Sequence, residues 1–214
     1  MKLIPNTSSI IHLINYAFQY VIDTSLKYNI DESHALKHSM EVFRFAKQIY
    51  DAELPANPFL LGQKEVVYMA AIGHDMCDKK YVDEKEAILR YQDHLSRHMS
   101  DHELQKMGEI IGTMSYSKVK KNGFPTNLGD HQLAYHIVRE ADLLAAYDID
   151  RSIIYNMYTH KTAYTDSLPY VFKLFDERVF RMIEDELFTT CFSKQLAVDL
   201  HLRAKEHVDG LKHF

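Results

Sequence analysis

The stretch Tyr68-Met-Ala-Ala-Ile-Gly-His-Asp-Met-Cys-Asp-Lys-Lys-Tyr81 sets a His-Asp pair at the end of an apolar run. Every residue from Val66 to Ile72 is apolar or aromatic, and a helical segment that is hydrophobic all round is normally buried in the middle of a domain. An ionised carboxylate at the edge of a core is costly unless a cation or hydrogen bonds compensate it. His74 and Asp75 therefore need partners, and a metal ion is the simplest. Consecutive helix residues point about 100° apart, so both can meet one ion only if it lies off the helix flank. The remaining ligands must come from other helices.

The composition agrees with a helical surround. The chain has 214 residues, 46% of them hydrophobic, with only 7 Gly and 5 Pro. This is enough for one substantial core and too short to require two domains. Few breakers, many Leu, Ala, Lys, Glu and Met, and no alternating β-branched runs favour helix over sheet. The expectation is an all-α fold, one helical domain over residues 1–214, with the metal site in the centre of the bundle. A net charge of -5 weighs against a protein that holds duplex nucleic acid through a global basic field. Cys77 and Cys191 make neither a disulfide framework nor a cysteine zinc site, which suits a reducing compartment. The opening MKLIPNTSSIIHLINYAF does not read as a signal peptide. No stretch approaches the roughly 20 apolar residues that span a bilayer. A soluble, cytoplasmic protein without a membrane partner is expected, of unspecified oligomeric state.

Upstream of the His-Asp stretch, residues 8 to about 29 read as a helix, with Asn6, Thr7 and Ser8 as candidate caps. Ile11, Ile14, Phe18, Val21 and Ile22 mark its inner face. A second helix runs from near Asp31 or Ser33 to about Ala52, with Val42, Phe45, Ala46 and Ile49 inward. One turn back from Val42 lies His38, and one more lies His34, so both share the buried stripe. Pro55 and Pro58 then make a loop. Downstream, Asp83 with Glu86 predicts a helix start, and Ser100 with Glu103 a capping box. The helix after that box carries Leu104, Met107, Ile111 and Met114 inward and is expected to end near Ser117. The stretch SKVKKNGFPTNLGD then reads as a loop, an expected active-site loop bearing Lys118, Lys120 and Lys121. Helix returns from about His131 to Asp148, with Asp142 on its apolar side beside Val138 and Ala145. About three amphipathic helices follow, with a break at Ser167-Leu168-Pro169.

Three helices thus place His38, His74 with Asp75, and Asp142 on buried faces. Two imidazoles and two carboxylates satisfy a divalent ion (Mn, Fe, Co, Ni, Zn or Mg) and leave room for water or substrate, as metal-assisted hydrolysis requires. The order H, then HD, then D resembles the HD superfamily of metal-dependent phosphohydrolases, and the likeness covers nearly the whole chain. His34-Ala-Leu-Lys-His38 resembles the H-x-x-x-H entry of its compact members, GHDMCDKK their HD-x-x-D-x-K segment, and READLLAAYD their D-A-D-x-L-D-A segment. Here Glu140 stands for the first Asp of that last motif and Ala145 for its final one. The resemblance implies a metal held by His38, His74, Asp75 and Asp142. It also implies hydrolysis of a phosphate ester or anhydride, with a nucleotide or another small phosphorylated metabolite as substrate. The alternatives are a metal-retaining module that only senses a nucleotide, and a di-iron oxygenase, for which His34 would have to help hold a second ion.

Asp78, three residues past Asp75, is the candidate acid or base if the helix continues. His34, Lys79, Lys80 and Arg139 adjoin the motifs and are candidate substrate contacts. His94, His98 and His102 recur every four residues, an attractive metal spacing, yet their polar surroundings predict that they face solvent.

Overall fold

Residues 7–213 are described in a computed structural model. Among them are ten α-helices and no strand: α1 (Thr7–Tyr28), α2 (Leu36–Glu53), α3 (Lys64–Gly73), α4 (Glu84–Leu95), α5 (Asp101–Thr113), α6 (Tyr116–Asn122), α7 (Gln132–Ala145), α8 (Ile149–His160), α9 (Tyr164–Leu174) and α10 (Cys191–Leu211). Short 3-10 turns cover Pro58–Gly62, His74–Cys77 and Gly129–His131, and a single π turn covers Phe175–Val179.

Helix α3 is the axis of the fold. All residues from Val66 to Gly73 are buried, as the unbroken apolar run requires, and α1, α2, α5 and α7 enclose the helix. Helices α2 and α7 pack against each other along their length, which brings His38 and Asp142 to the same end of α3. The last residue of α3 is Gly73, where an added Cβ would overlap the ring of Tyr91. That ring is fully buried, and its hydroxyl donates to the Met69 carbonyl at 2.9 Å. The backbone can therefore pass close under α4 only without a side chain at this position.

Several boundaries follow the sequence closely. Asp83 caps α4, accepting from the Glu86 amide at 3.0 Å, and Ser100 with Glu103 forms the predicted capping box of α5. Leu104, Met107, Ile111 and Met114 are buried. Of the expected caps, Asn6 lies outside the described residues, and Thr7 and Ser8 already belong to α1.

Other expectations are corrected. Ile11 is exposed, and the inner line of α1 is Leu13, Ala17 and Val21, spaced four apart. His34 precedes α2 in a turn rather than riding on it, because Asp31 accepts from the Ser33 amide and from the His34 amide through its carbonyl. The lysine-rich loop is helical from Tyr116 to Asn122, since Val119 buries its side chain and Lys118 ties α6 to Glu84 and to the Gly112 carbonyl. Ser167-Leu168-Pro169 is no break. Pro169 lies inside α9, Ser167 and Leu168 are buried, and the chain turns instead at Lys161, whose φ is 55°. No helix among the described residues is long and apolar enough to cross a membrane.

Candidate metal centre

The His-Asp pair falls where α3 tightens into its 3-10 turn, and this delivers both side chains to one spot. His74 Nδ1 lies 2.9 Å from the Ala71 carbonyl. That carbonyl can only accept, so the proton sits on Nδ1, and a neutral ring presents its Nε2 lone pair to the site. His38 approaches from α2 with its Nε2 3.4 Å from His74 Nε2. Its Nδ1 is buried without a hydrogen-bond partner among the described residues, so Nε2 is the ring's working atom. Asp142 Oδ1 comes from α7, 3.4 Å from His38 Nε2 and 3.6 Å from His74 Nε2. Asp75 Oδ2 is 3.1 Å from His38 Nε2, and its Oδ1 is 3.3 Å from His74 Nε2.

These separations fit a metal. Ligand atoms about 2.1 Å from an ion stand about 3.0 Å apart at octahedral angles and about 3.4 Å at tetrahedral ones. The atoms offered by His38, His74 and Asp142 all lie within 4.8 Å of one another, and Asp75 touches both imidazoles. Two nitrogens with two carboxylates are an ordinary donor set for a divalent transition ion. All four expected ligands thus converge from three helices.

A cation that sequence reading missed stands beside them. Arg151, in the first turn of α8, donates through Nε to the Ser33 carbonyl at 2.6 Å and through Nη2 to Asp75 Oδ2 at 3.3 Å, and its Nη1 is 3.6 Å from Asp142 Oδ1. Asp148 caps α8 by accepting from the Asp150 amide. The sequence reading carried the previous helix on to Asp148, whereas α7 ends at Ala145 and Asp148 starts α8, which sets the direction of the arginine three residues later.

Electrostatics couple the cluster tightly. Burial alone would lower the His74 pKa, but the carboxylates of Asp75 and Asp142 outweigh it and raise the ring to about 9. Burial would raise both acids, yet cationic His74 holds Asp75 down, and hydrogen bonds from His38 and His74 hold Asp142 down, each well below the usual carboxylate range. His74 is therefore protonated near neutrality in the metal-free protein, and an ion must displace that proton to reach Nε2. The folded-state pKa is raised, so this contribution to metal-free stability is full below about 6.5 and is lost as pH rises through about 9. Metal affinity moves the opposite way. It should rise about tenfold per pH unit up to that value, with about one proton released per ion bound. Calorimetry in buffers of different ionisation enthalpy measures the proton directly, and an affinity flat across this range would show that His74 is not a ligand.

His74, Asp75 and Asp142 line a cavity of about 350 Å³, and His38 touches Asp75 and Asp142 without lining it. His34 lines it, with Nδ1 2.6 Å from Ser33 Oγ and Nε2 3.2 Å from Lys80 Nζ. Burial pushes its pKa down to about 3, so the ring is neutral, and both nitrogens are engaged within the protein rather than offered to a second ion. Lys79 and Lys80 lie on the wall and are exposed.

Asp78 also lines the cavity, but not as the sequence predicted. The helix ends five residues earlier, and Asp78 is extended, with φ of -70° and ψ of 129°. Its Oδ1 accepts from the Lys80 amide at 2.9 Å, and Oδ2 is 3.7 Å from Lys80 Nζ. This is an Asx turn, which replaces helical spacing as the device that places the carboxylate.

Arg139 does not reach the cavity. It is buried, donates to Glu140 Oε1 at 3.0 Å, and sits over the Phe124 ring at 4.5 Å. Its neighbour Glu140 is fully buried and accepts from Thr189 and Thr190 as well, so the ion pair draws the guanidinium away from the ligands. Lys120 and Lys121 lie outside the cavity too, while Lys118 lines it but is bound to Glu84 at 2.6 Å.

His98 and His102 are exposed, as expected. His94 is half-buried, stacked on Tyr16 with ring centroids 3.9 Å apart. The three histidines hold no metal-like cluster among the described residues.

Comparison of the chain with protein-family models, curated proteins and solved structures finds no match.

Proposed function

We propose that this chain is an HD-type metal-dependent phosphohydrolase that cleaves a phosphate ester or anhydride of a nucleotide or small phosphorylated metabolite. One observation carries the reading: His38, His74 and Asp142 come together with Asp75 against both imidazoles, and His74, Asp75 and Asp142 line a cavity that Lys80, Arg151 and Arg178 also line. A cluster of hard and borderline donors below basic side chains suits an anionic substrate brought to a divalent ion. The motif resemblance supports the reaction class, and the donor cluster beside basic side chains supports an anionic substrate.

A divalent ion held by His38, His74, Asp75 and Asp142 would supply Lewis acidity, lowering the pKa of bound water and polarising a phosphoryl oxygen. The protein's own groups do the rest. Arg151 is positioned by the Ser33 carbonyl and both acids to steady charge that develops on the phosphoryl oxygens. Asp78 is the proposed proton carrier, with its carboxylate oriented by the residue 80 amide and ammonium. His34 and Lys80 form one side of the substrate wall.

The test is to load the purified protein separately with Mn, Fe, Co, Ni, Zn and Mg and count bound ions. Phosphate release is then followed across nucleoside mono-, di- and triphosphates and sugar phosphates. We expect about one ion per chain and release from at least one class with at least one metal. Metal binding without turnover of any substrate would leave a sensing module instead, and two ions per chain would reopen the oxygenase alternative.

A further inference from the structure

The cations around the cavity differ in whether they are already matched. Arg151 is held by Asp75, Asp142 and the Ser33 carbonyl. Lys118 is held by Glu84, and Lys80 by Asp78 and His34. Arg178 has no ion pair and no side-chain hydrogen bond among the described residues, yet it is half-buried and lines the cavity. Its guanidinium lies on the ring of Tyr116, 4.1 Å from the centroid.

The backbone that presents it is unusual. Phe175–Val179 is a π turn, closed by the Phe180 amide donating to the Phe175 carbonyl at 2.8 Å. The wider turn keeps both Phe175 and Val179 in the core while Arg178 stands at the cavity wall. Such turns recur at functional sites because they re-aim a side chain without ending the element.

We propose that Arg178, held against Tyr116, is an anion-binding residue that takes a phosphoryl dianion in this cavity. The inference deepens the phosphohydrolase reading and rests on it for the class of anion. Stacking on Tyr116 immobilises the guanidinium plane and leaves its edge N–H groups free for two oxygens, an arrangement that lysine cannot copy. Charge agrees. With a divalent ion bound and His74 neutral, the ion and Arg151 exceed Asp75 and Asp142 by one positive charge. Arg178 makes the excess two, and the exposed Lys79 on the wall adds a third, enough positive charge to offset a phosphoryl dianion. Burial disfavours the charged guanidinium, with Asp142 the main carboxylate that offsets this, so an arriving dianion finds a cation short of compensation.

The probe is inorganic phosphate, titrated calorimetrically into metal-loaded protein. Arg178→Met, which keeps an apolar stem against Tyr116, should weaken phosphate binding by about ten- to a hundredfold with unchanged metal content. Arg178→Lys should recover only part of that loss. If the Met variant fails to fold, arginine modification of the wild type by a dicarbonyl reagent serves instead, and phosphate should protect Arg178 specifically. Equal phosphate affinity in wild type and Met variant, no phosphate binding by the wild type, or no protection of Arg178 would each overturn the proposal. Phosphate binding through Arg178 without turnover of any substrate would uphold this inference while the hydrolase reading fails. Turnover with phosphate binding indifferent to Arg178 would do the reverse.

Discussion

Asp142→Asn is expected to lose most of the bound metal, and activity with it, while α7 remains folded. The substitution hardly changes volume but removes the charge at the one α7 atom that approaches both imidazoles, at 3.4 and 3.6 Å. Groups that merely orient a ligand already contribute about 10- to 100-fold to metal affinity, so loss of an anionic ligand should exceed 10²-fold. Helicity should persist because Asp142 joins the C-cap of α7 only through its carbonyl, which asparagine keeps, and its neighbours Ala141, Leu143 and Leu144 stay buried. Metal analysis and circular dichroism on one preparation decide the matter. Wild-type metal content in a folded variant would remove Asp142 from the ligand set.

Glu140→Ala should be the most destabilising single change near the site, although Glu140 touches no candidate ligand. Its carboxylate is fully buried and accepts from the Thr189 amide at 2.7 Å, Thr189 Oγ1 at 2.6 Å, the Thr190 amide at 3.2 Å and Thr190 Oγ1 at 2.7 Å, with Arg139 at 3.0 Å as counter-ion. Thr190 caps α10, so one α7 side chain fastens the start of the last helix. Removing it strands the buried Arg139 cation, and breaking a buried pair from one side costs about 3–5 kcal/mol. For a chain of this size that lowers Tm by about 10 °C. A thermal melt within a degree or two of wild type would show that the network contributes little. Glu140→Gln should rescue only in part, since its amide turns a donor toward donors.

Glu140 stands where the D-A-D-x-L-D-A pattern has its first Asp, and this lock is what its side chain does here. The longer side chain spans from α7 to residues 189 and 190, a task that motif comparison alone does not reveal.

What the sequence determined by itself was the helical class and the stripes. Scarce Gly and Pro, the apolar run before His74, and the 3.6-residue period placed His38 and Asp142 inward, because a residue's face within one helix is tied to its neighbours a turn away. The capping residues Asp83 and Ser100 were readable for the same reason: a cap bonds within three residues of itself. The tertiary structure alone decided where long side chains end. Arg139 and Arg151 look alike in sequence, yet Glu140 draws one into the core while Asp75, Asp142 and the Ser33 carbonyl draw the other onto the site. Asp78 changed from a helical neighbour of Asp75 to a turn residue because α3 gives way to a 3-10 turn at His74 and the chain is extended at Asp78. Arg178 escaped altogether, since a π turn interrupts the period on which its face would have been read. Periodicity reports which side of a segment is buried, whereas the position of a charged head depends on atoms brought from far along the chain.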